Sequence, residues 1–260
     1  MKSQTQHNEW QRSESDLSYS GGSRPHVTSS DPLVRYIVRW RLQESLDRLA
    51  KRANGRISPA SKILVMCAGE GGEGSILCDM GYGDVTISDL SSVGVETGLK
   101  RDYRLKGLVL DAENADVPDR AFDLVIVQDG LHHLQNPVRG FAEMLRIARV
   151  GVIFLEPHDS WVGNFIGTKW EKNGDAINYV FRWTTKLVQD CASSYLGPDA
   201  CENMSFSFWH HNIVYEKIGK LLGGGTFALW AIRILKRILD GVAGKMGNQF
   251  AGVILKRQGI

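Results

Sequence analysis

The feature that most constrains this chain is a series of short apolar runs between Lys62 and Pro157, separated by segments long enough for helices. The runs read "ILVMC" (63–67), "VTIS" (85–88), "LVL" (108–110), "LVIV" (124–127) and "GVIFL" (151–155). Near-continuous Val, Ile and Leu suits strands buried on both faces. Strands spaced by helix-length segments pair in parallel through crossover helices. The expected fold class is therefore α/β, a Rossmann-like sheet with helices on both faces. In such sheets ligands bind beyond the carboxyl ends of the strands, near the reversal of strand order, so the residues just after each run are the candidate site.

The flanks divide the rest. Residues 1–30 are rich in Ser, Gln and Gly and have little to bury, which predicts a flexible tail. Asp31-Pro32 is a helix start, and Val34, Val38, Leu42, Leu46 and Leu49 follow at helical spacing, with Arg35, Arg39, Arg41, Asp47 and Lys51 on other faces. This helix and the strand-bearing core span 31–157. Residues 158–249 read as a cap and acceptor-binding region, and 250–260, containing "FAGVILKR", as a final strand completing the sheet. The cap has helical stretches near 212–222 and 226–240. The second places Phe227, Ala231, Leu235, Leu239 and Val242 on one stripe and Arg233, Lys236 and Arg237 elsewhere. That basic side is read as a solvated face or a contact for a membrane or an anionic acceptor.

Composition excludes more than it specifies. Lys+Arg 31 against Asp+Glu 29 gives a formal charge of +2, too little to attract nucleic acid. Cys67, Cys78, Cys191 and Cys201 show no Cys-x-x-Cys spacing, and no apolar run is long enough for a signal peptide or a membrane span. A reduced, cytoplasmic protein without stable membrane insertion is expected, and no metal site is indicated.

The strand ends carry the chemistry. After the first run, Gly69-Glu70-Gly71-Gly72-Glu73-Gly74 spells Gly-x-Gly-x-x-Gly, where backbone can lie close to a ligand and a following helix presents free N–H groups. Asp89, followed by Leu90, lies 18 residues beyond Gly71, where a carboxylate can accept both hydroxyls of a ribose. Asp111 can accept the exocyclic amine of adenine, with Ala112 and Glu113 beside the ring. The fourth run ends at Gln128, before Asp129-Gly130-Leu131-His132-His133.

The succession "ILVMCAGEGG", "VTISDLS", "LDAENADVPDRAFDLVIVQDGLHHL" and "GFAEMLRIARVGVIFLEP" resembles the class I S-adenosylmethionine-dependent methyltransferases, especially their small-molecule branch, over residues 60–157. The resemblance implies a seven-stranded sheet with a cap insertion before the last strand. It also implies that Gly69, Glu70 and Gly71 hold the methionine part of S-adenosylmethionine, Asp89 the ribose and Asp111 with Ala112 the adenine, while Gln128 lies beside the sulfonium end. Where the family often has an acid and a glycine, this chain has Val65 and Cys67. The implied activity is methyl transfer to a small-molecule acceptor in a biosynthetic pathway, with a hydroxyl oxygen as the expected target.

His133 after the fourth run and His158 after the fifth, with Asp159 as a candidate orienter, are the candidate bases. His210 and His211 could line an acceptor pocket, and the tryptophans between 161 and 209 read as pocket wall or ordinary core. Two other functions fit the same loop: a nicotinamide-dependent oxidoreductase, and a relative that binds the cofactor without catalysis. No tyrosine-lysine pair supports the first.

Overall fold

The computed structural model describes residues 32–173 and 176–258, together with Glu9, Arg12, Ser13 and Asp16. The tail expected over residues 1–30 otherwise lies outside the described residues, as does Asp31.

From residue 32 on, the elements among the described residues are, in order, α1 (Pro32–Ala53), β1 (Lys62–Met66), α2 (Gly72–Asp79), β2 (Asp84–Asp89), α3 (Ser92–Arg101), β3 (Lys106–Val109), β4 (Phe122–Gln128), α4 (Pro137–Ile147), β5 (Ala148–Pro157), α5 (Trp161–Ile166), β6 (Trp170–Asn173), β7 (Ala176–Tyr179), α6 (Thr185–Leu196), β8 (Cys201–Asn203), β9 (Phe206–Phe208), α7 (Asn212–Leu221), α8 (Gly225–Ala243) and β10 (Gln249–Lys256). Short 3-10 turns lie at Leu131–His133 and Gly244–Met246.

The main sheet runs β3-β2-β1-β4-β5-β10-β8, with β9 also paired to β10. Strands β1 to β5 are parallel, whereas β10 is antiparallel to β5. The sheet therefore has eight strands rather than the seven expected: the segment between the cap helices returns twice to pair on β10. "CEN" and "FSF" are too short and too polar to announce strands by periodicity; an edge left open by β10 selects them. The strand order reverses between β1 and β4, and the site lies at that switch point.

The alternation of side chains along each strand splits the core into two layers. Ile63 and Val65 face one side, with Leu42, Leu46 and Leu49 of α1. Leu64 and Met66 face the other, with Phe141, Met144 and Leu145 of α4 and with Trp183. Strand β3 is the exception, an edge whose Leu108 and Val109 are exposed. Helix starts follow side-chain capping: Ser91, Asn136, Ser160 and Thr184 each accept a backbone N–H at the start of α3, α4, α5 and α6.

Helix α8 differs from its expected orientation. Ala228, Ile232 and Lys236 face inward, while Phe227 and Val242 are exposed. Ile232 joins Leu33 and Tyr215 in a small cluster that seats α7 and α8 on α1. Lys236 is buried because its ammonium donates to the Trp209 carbonyl at 2.9 Å and to Asp240 at 2.8 Å, and lies 3.5 Å from the Trp40 ring centroid.

Candidate active site

The glycine loop begins with an unusual residue. Cys67 has φ 54°, in the left-handed region that favours glycine and costs other residues about 1–2 kcal/mol. Gly71 follows at φ 73° as the N-cap of α2. Gly74 serves packing instead: a methyl group there would lie 2.6 Å from Ile87 Cγ2 and 3.0 Å from Leu105 Cδ2. The third glycine of the dinucleotide-like string is therefore what lets α2 sit close on β2.

Asp89 ends β2 buried, and both of its oxygens accept backbone N–H groups, from Gly69 at 2.8 Å and from Ser91 at 3.0 Å. These bonds tie the glycine loop to the acid and fix the carboxylate's direction. Arg12 donates to the Leu90 carbonyl at 3.2 Å, and the Ser91 hydroxyl donates to Asp16, so described N-terminal residues reach this corner of the site. Glu70 is buried, and its carboxylate pairs with Arg101 of α3 at 2.7 Å. Asp111 Oδ1 accepts the Glu113 N–H at 2.8 Å, a local turn that leaves Ala112 buried beneath it. Gln128 Nε2 donates to Glu73 at 2.7 Å, while its Oε1 is buried with no partner among the described residues.

Four carboxylates converge on Cys67. Burial, then Asp89, Glu156, Asp111 and Glu113, push its thiol well above the usual range. These acids come from the ends of β2 and β5 and from the turn after β3. S-adenosylmethionine carries a sulfonium and an ammonium. The left-handed loop, the oriented Asp89, the Asp111 turn and the orphaned Gln128 oxygen fit that molecule's parts.

Glu156 organises the next layer, and no role falls to it in the sequence reading. It is wholly buried and accepts the N–H groups of Gly130 (2.8 Å), Leu131 (2.7 Å) and His132 (3.3 Å), and its Oε2 lies 2.6 Å from His132 Nδ1. Its one signal was an acid closing the apolar run "GVIFLE". On the other side His132 Nε2 lies 3.5 Å from Glu171 of β6. Burial opposes charge on His132, but Glu156, Glu171 and Asp129 outweigh it and push the imidazole up to about 10. The donor atoms of His132, His133 and Glu171 lie within 4.8 Å of one another, close enough for a metal ion to bridge.

His133 lies tilted against His132, ring centroids 4.2 Å apart. Burial and the neighbouring His132 charge push it below the ordinary histidine range. His158 lies after β5, buried, stacked on Phe250 at 5.6 Å, with Nδ1 2.8 Å from the Gly247 carbonyl. That carbonyl makes Nδ1 the protonated nitrogen and Nε2 the basic one, and burial again lowers the pKa. Asp159 does not orient the ring: its Oδ1 accepts Asn164 Nδ2 at 2.7 Å and its side chain is exposed.

Other sequence candidates scatter. His210 is buried against Phe208 and Tyr215, and His211 is exposed. Trp183 is core, whereas Trp161 and Trp170 are exposed. Arg41, expected on the polar side of α1, is buried and pairs with Asp129 beside the site, Nη1 donating to Oδ1 at 3.2 Å. Nothing in the 3.6-residue pattern marked it, because its partner is 88 residues away.

A parallel sheet with a reversal at β1/β4 and an antiparallel final strand is an open α/β fold whose candidate site lies at the switch point. Comparisons with known proteins narrow it. Residues 64–155 match a methyltransferase domain family. A demethylmenaquinone methyltransferase of Renibacterium salmoninarum is 31% identical over 113 residues, 44% of each chain. A ubiquinone/menaquinone biosynthesis C-methyltransferase of Burkholderia mallei is 28% identical over 149 residues, 49% of this chain and 61% of that one. The chain thus spans about half the length of the curated relatives it matches. A solved S-adenosylmethionine-dependent methyltransferase from Thermotoga maritima shares the fold, with TM-score 0.53 and 15% identity over 95% of this chain and 100% of that one. Residues 64–155 thus match a methyltransferase domain, and the chain shares its fold with a solved S-adenosylmethionine-dependent methyltransferase.

Proposed function

We propose that this chain transfers the methyl group of S-adenosylmethionine to a small-molecule acceptor that carries an acidic hydroxyl. The observation that supports the reading is the buried Asp89 carboxylate at the end of β2, held against the left-handed glycine loop by the Gly69 and Ser91 N–H groups. The glycine loop would hold the methionine end, Asp89 the ribose diol, Asp111 with Ala112 the adenine, and the Gln128 oxygen would lie near the sulfonium. Bound there, the cofactor supplies an electrophilic methyl group.

The chain's own residues do the rest. Positioning an acceptor in line with the methyl group lowers the barrier by up to about 7–11 kcal/mol. His133 Nδ1 or Nε2, neutral beside a charged His132, removes the acceptor's hydroxyl proton, a contribution of roughly 10² to 10⁴ in rate. His158, with Nε2 basic, is the second candidate for that step. The resulting oxyanion can react at oxygen, the atom expected from sequence, or, in a phenol or enol, at the adjacent carbon. The names of the quinone-pathway relatives lend weight to carbon.

Calorimetry tests the cofactor assignment. The protein should bind S-adenosylmethionine and its demethylated product, and Asp89→Ala should weaken both by about 10–100-fold through lost charge-assisted hydrogen bonds. Binding of NAD in their place would overturn the reading. With a phenolic acceptor library, His133→Ala should lower kcat more than His158→Ala, and NMR of the product distinguishes a methyl ether from a methylated ring carbon.

A further inference from the structure

The structure assigns α8, together with the neighbouring α5, to docking on a membrane surface rich in anionic lipid. Helix α8 buries one face on α1 and α7, yet its opposite side is also apolar. Phe227, Trp230, Ile238 and Val242 are 62%, 59%, 56% and 85% exposed, with Ile234 among them. At 100° per residue these five positions form one continuous stripe about 120° wide, the geometry of an interfacial helix. A soluble face would place charge there.

Charge complementarity selects the occupant. Arg233 and Arg237 are exposed along one edge of the stripe, and Lys217, Lys220 and Lys245 are exposed on the flanking α7 and 3-10 turn. Residues 212–246 hold six basic side chains against two acidic ones, in a chain whose overall excess is only +2. Of the two acids, Asp240 is bonded to Lys236 and to the Trp209 N–H. The exposed charge beside the stripe is therefore cationic, and Trp and Phe between basic side chains suit the headgroup boundary of a bilayer.

The apolar surface continues toward the site. The Ser160 hydroxyl donates to the Met246 and Gly247 carbonyls at 3.2 and 2.9 Å, joining the end of α8 to the start of α5. There Trp161 and Phe165 are exposed and stacked, centroids 6.1 Å apart, two residues beyond Asp159 and three beyond His158 in the case of Trp161. A bilayer seated on α8 and α5 would lie against the strand-end rim. No described helix is long and apolar enough to cross a membrane, so the attachment is peripheral.

Flotation of the full chain with vesicles tests this. It should float with vesicles of phosphatidylcholine mixed with phosphatidylglycerol, and much less with phosphatidylcholine alone. Trp230→Glu with Ile238→Glu, at exposed positions, should reduce the bound fraction at least about tenfold. Arg233→Glu and Arg237→Glu should each reduce it about fivefold and flatten its salt dependence. The proposal is overturned if the wild-type chain stays with the soluble fraction, or if these variants float like wild type. It is equally overturned if Trp230→Glu with Ile238→Glu converts a dimer into a monomer in sedimentation while neither form binds vesicles, since a second copy would then cover the face.

Discussion

His132 carries a charge that its sequence position does not reveal. Free imidazole titrates near 6.5, whereas His132, buried between Glu156 and Glu171, is raised to about 10. The raised value stabilises the folded chain fully below about pH 6.5, and that contribution is lost as the pH rises through about 10. The difference in unfolding free energy between wild type and His132→Asn should therefore shrink steadily from pH 6.5 to pH 10 in urea titrations. A difference that stays level across that window would show His132 to be neutral. The candidate acid Asp89 could be placed from sequence because it ends β2, and Asp111 because it lies in the turn just after β3. Glu156 could not, because a carboxylate at the end of an apolar run reads the same whether it meets solvent or three backbone N–H groups. Cys67 was visible as a departure, but only its φ shows that a thiol-bearing residue adopts the glycine's conformation.

Elements were legible in proportion to how much of their burial is local. Strands β1, β2, β4 and β5 and helix α4 follow their apolar patterns, since each is covered on the faces its pattern specifies. Strands β8 and β9 exist because β10 offers them an edge, and β10 in turn depends on its fit to β5. Gly252 shows the tightness of that fit: it pairs with Phe154, and a methyl group at Gly252 would fall on the Phe154 ring. Phe154 packs against Phe141, Trp183 and Phe250, so the ring has no room to yield. Gly252→Ala should cost about 1–3 kcal/mol by overpacking, read as a lower denaturant midpoint with an unchanged slope. Helix α8 was found by its periodicity but misassigned by face, because a helix apolar on two sides offers no local rule for which side is buried.

At the scale of the whole molecule, two long-range ion pairs join the cap and the N-terminal helix to the site. Arg41 of α1 reaches Asp129 after β4, and Glu171 of β6 reaches His132. Glu171→Gln should loosen the β6–β7 hairpin while leaving the sheet intact. In hydrogen exchange, amides of 170–173 and 176–179 should exchange faster and those of β1, β4 and β5 should not change; equal protection in both proteins would remove Glu171 from this role. The sequence by itself determined the parallel α/β core and which candidate residues fall at its strand ends, because burial on both faces and the short reach from strand to loop are local properties of the chain. Only the tertiary structure decided which histidine is charged, which arginine is buried, which face of α8 is left outside, and that two short strands extend the sheet. Each of those depends on a partner distant in sequence, and a desolvated charge or an open strand edge is satisfied only by what folding brings to it.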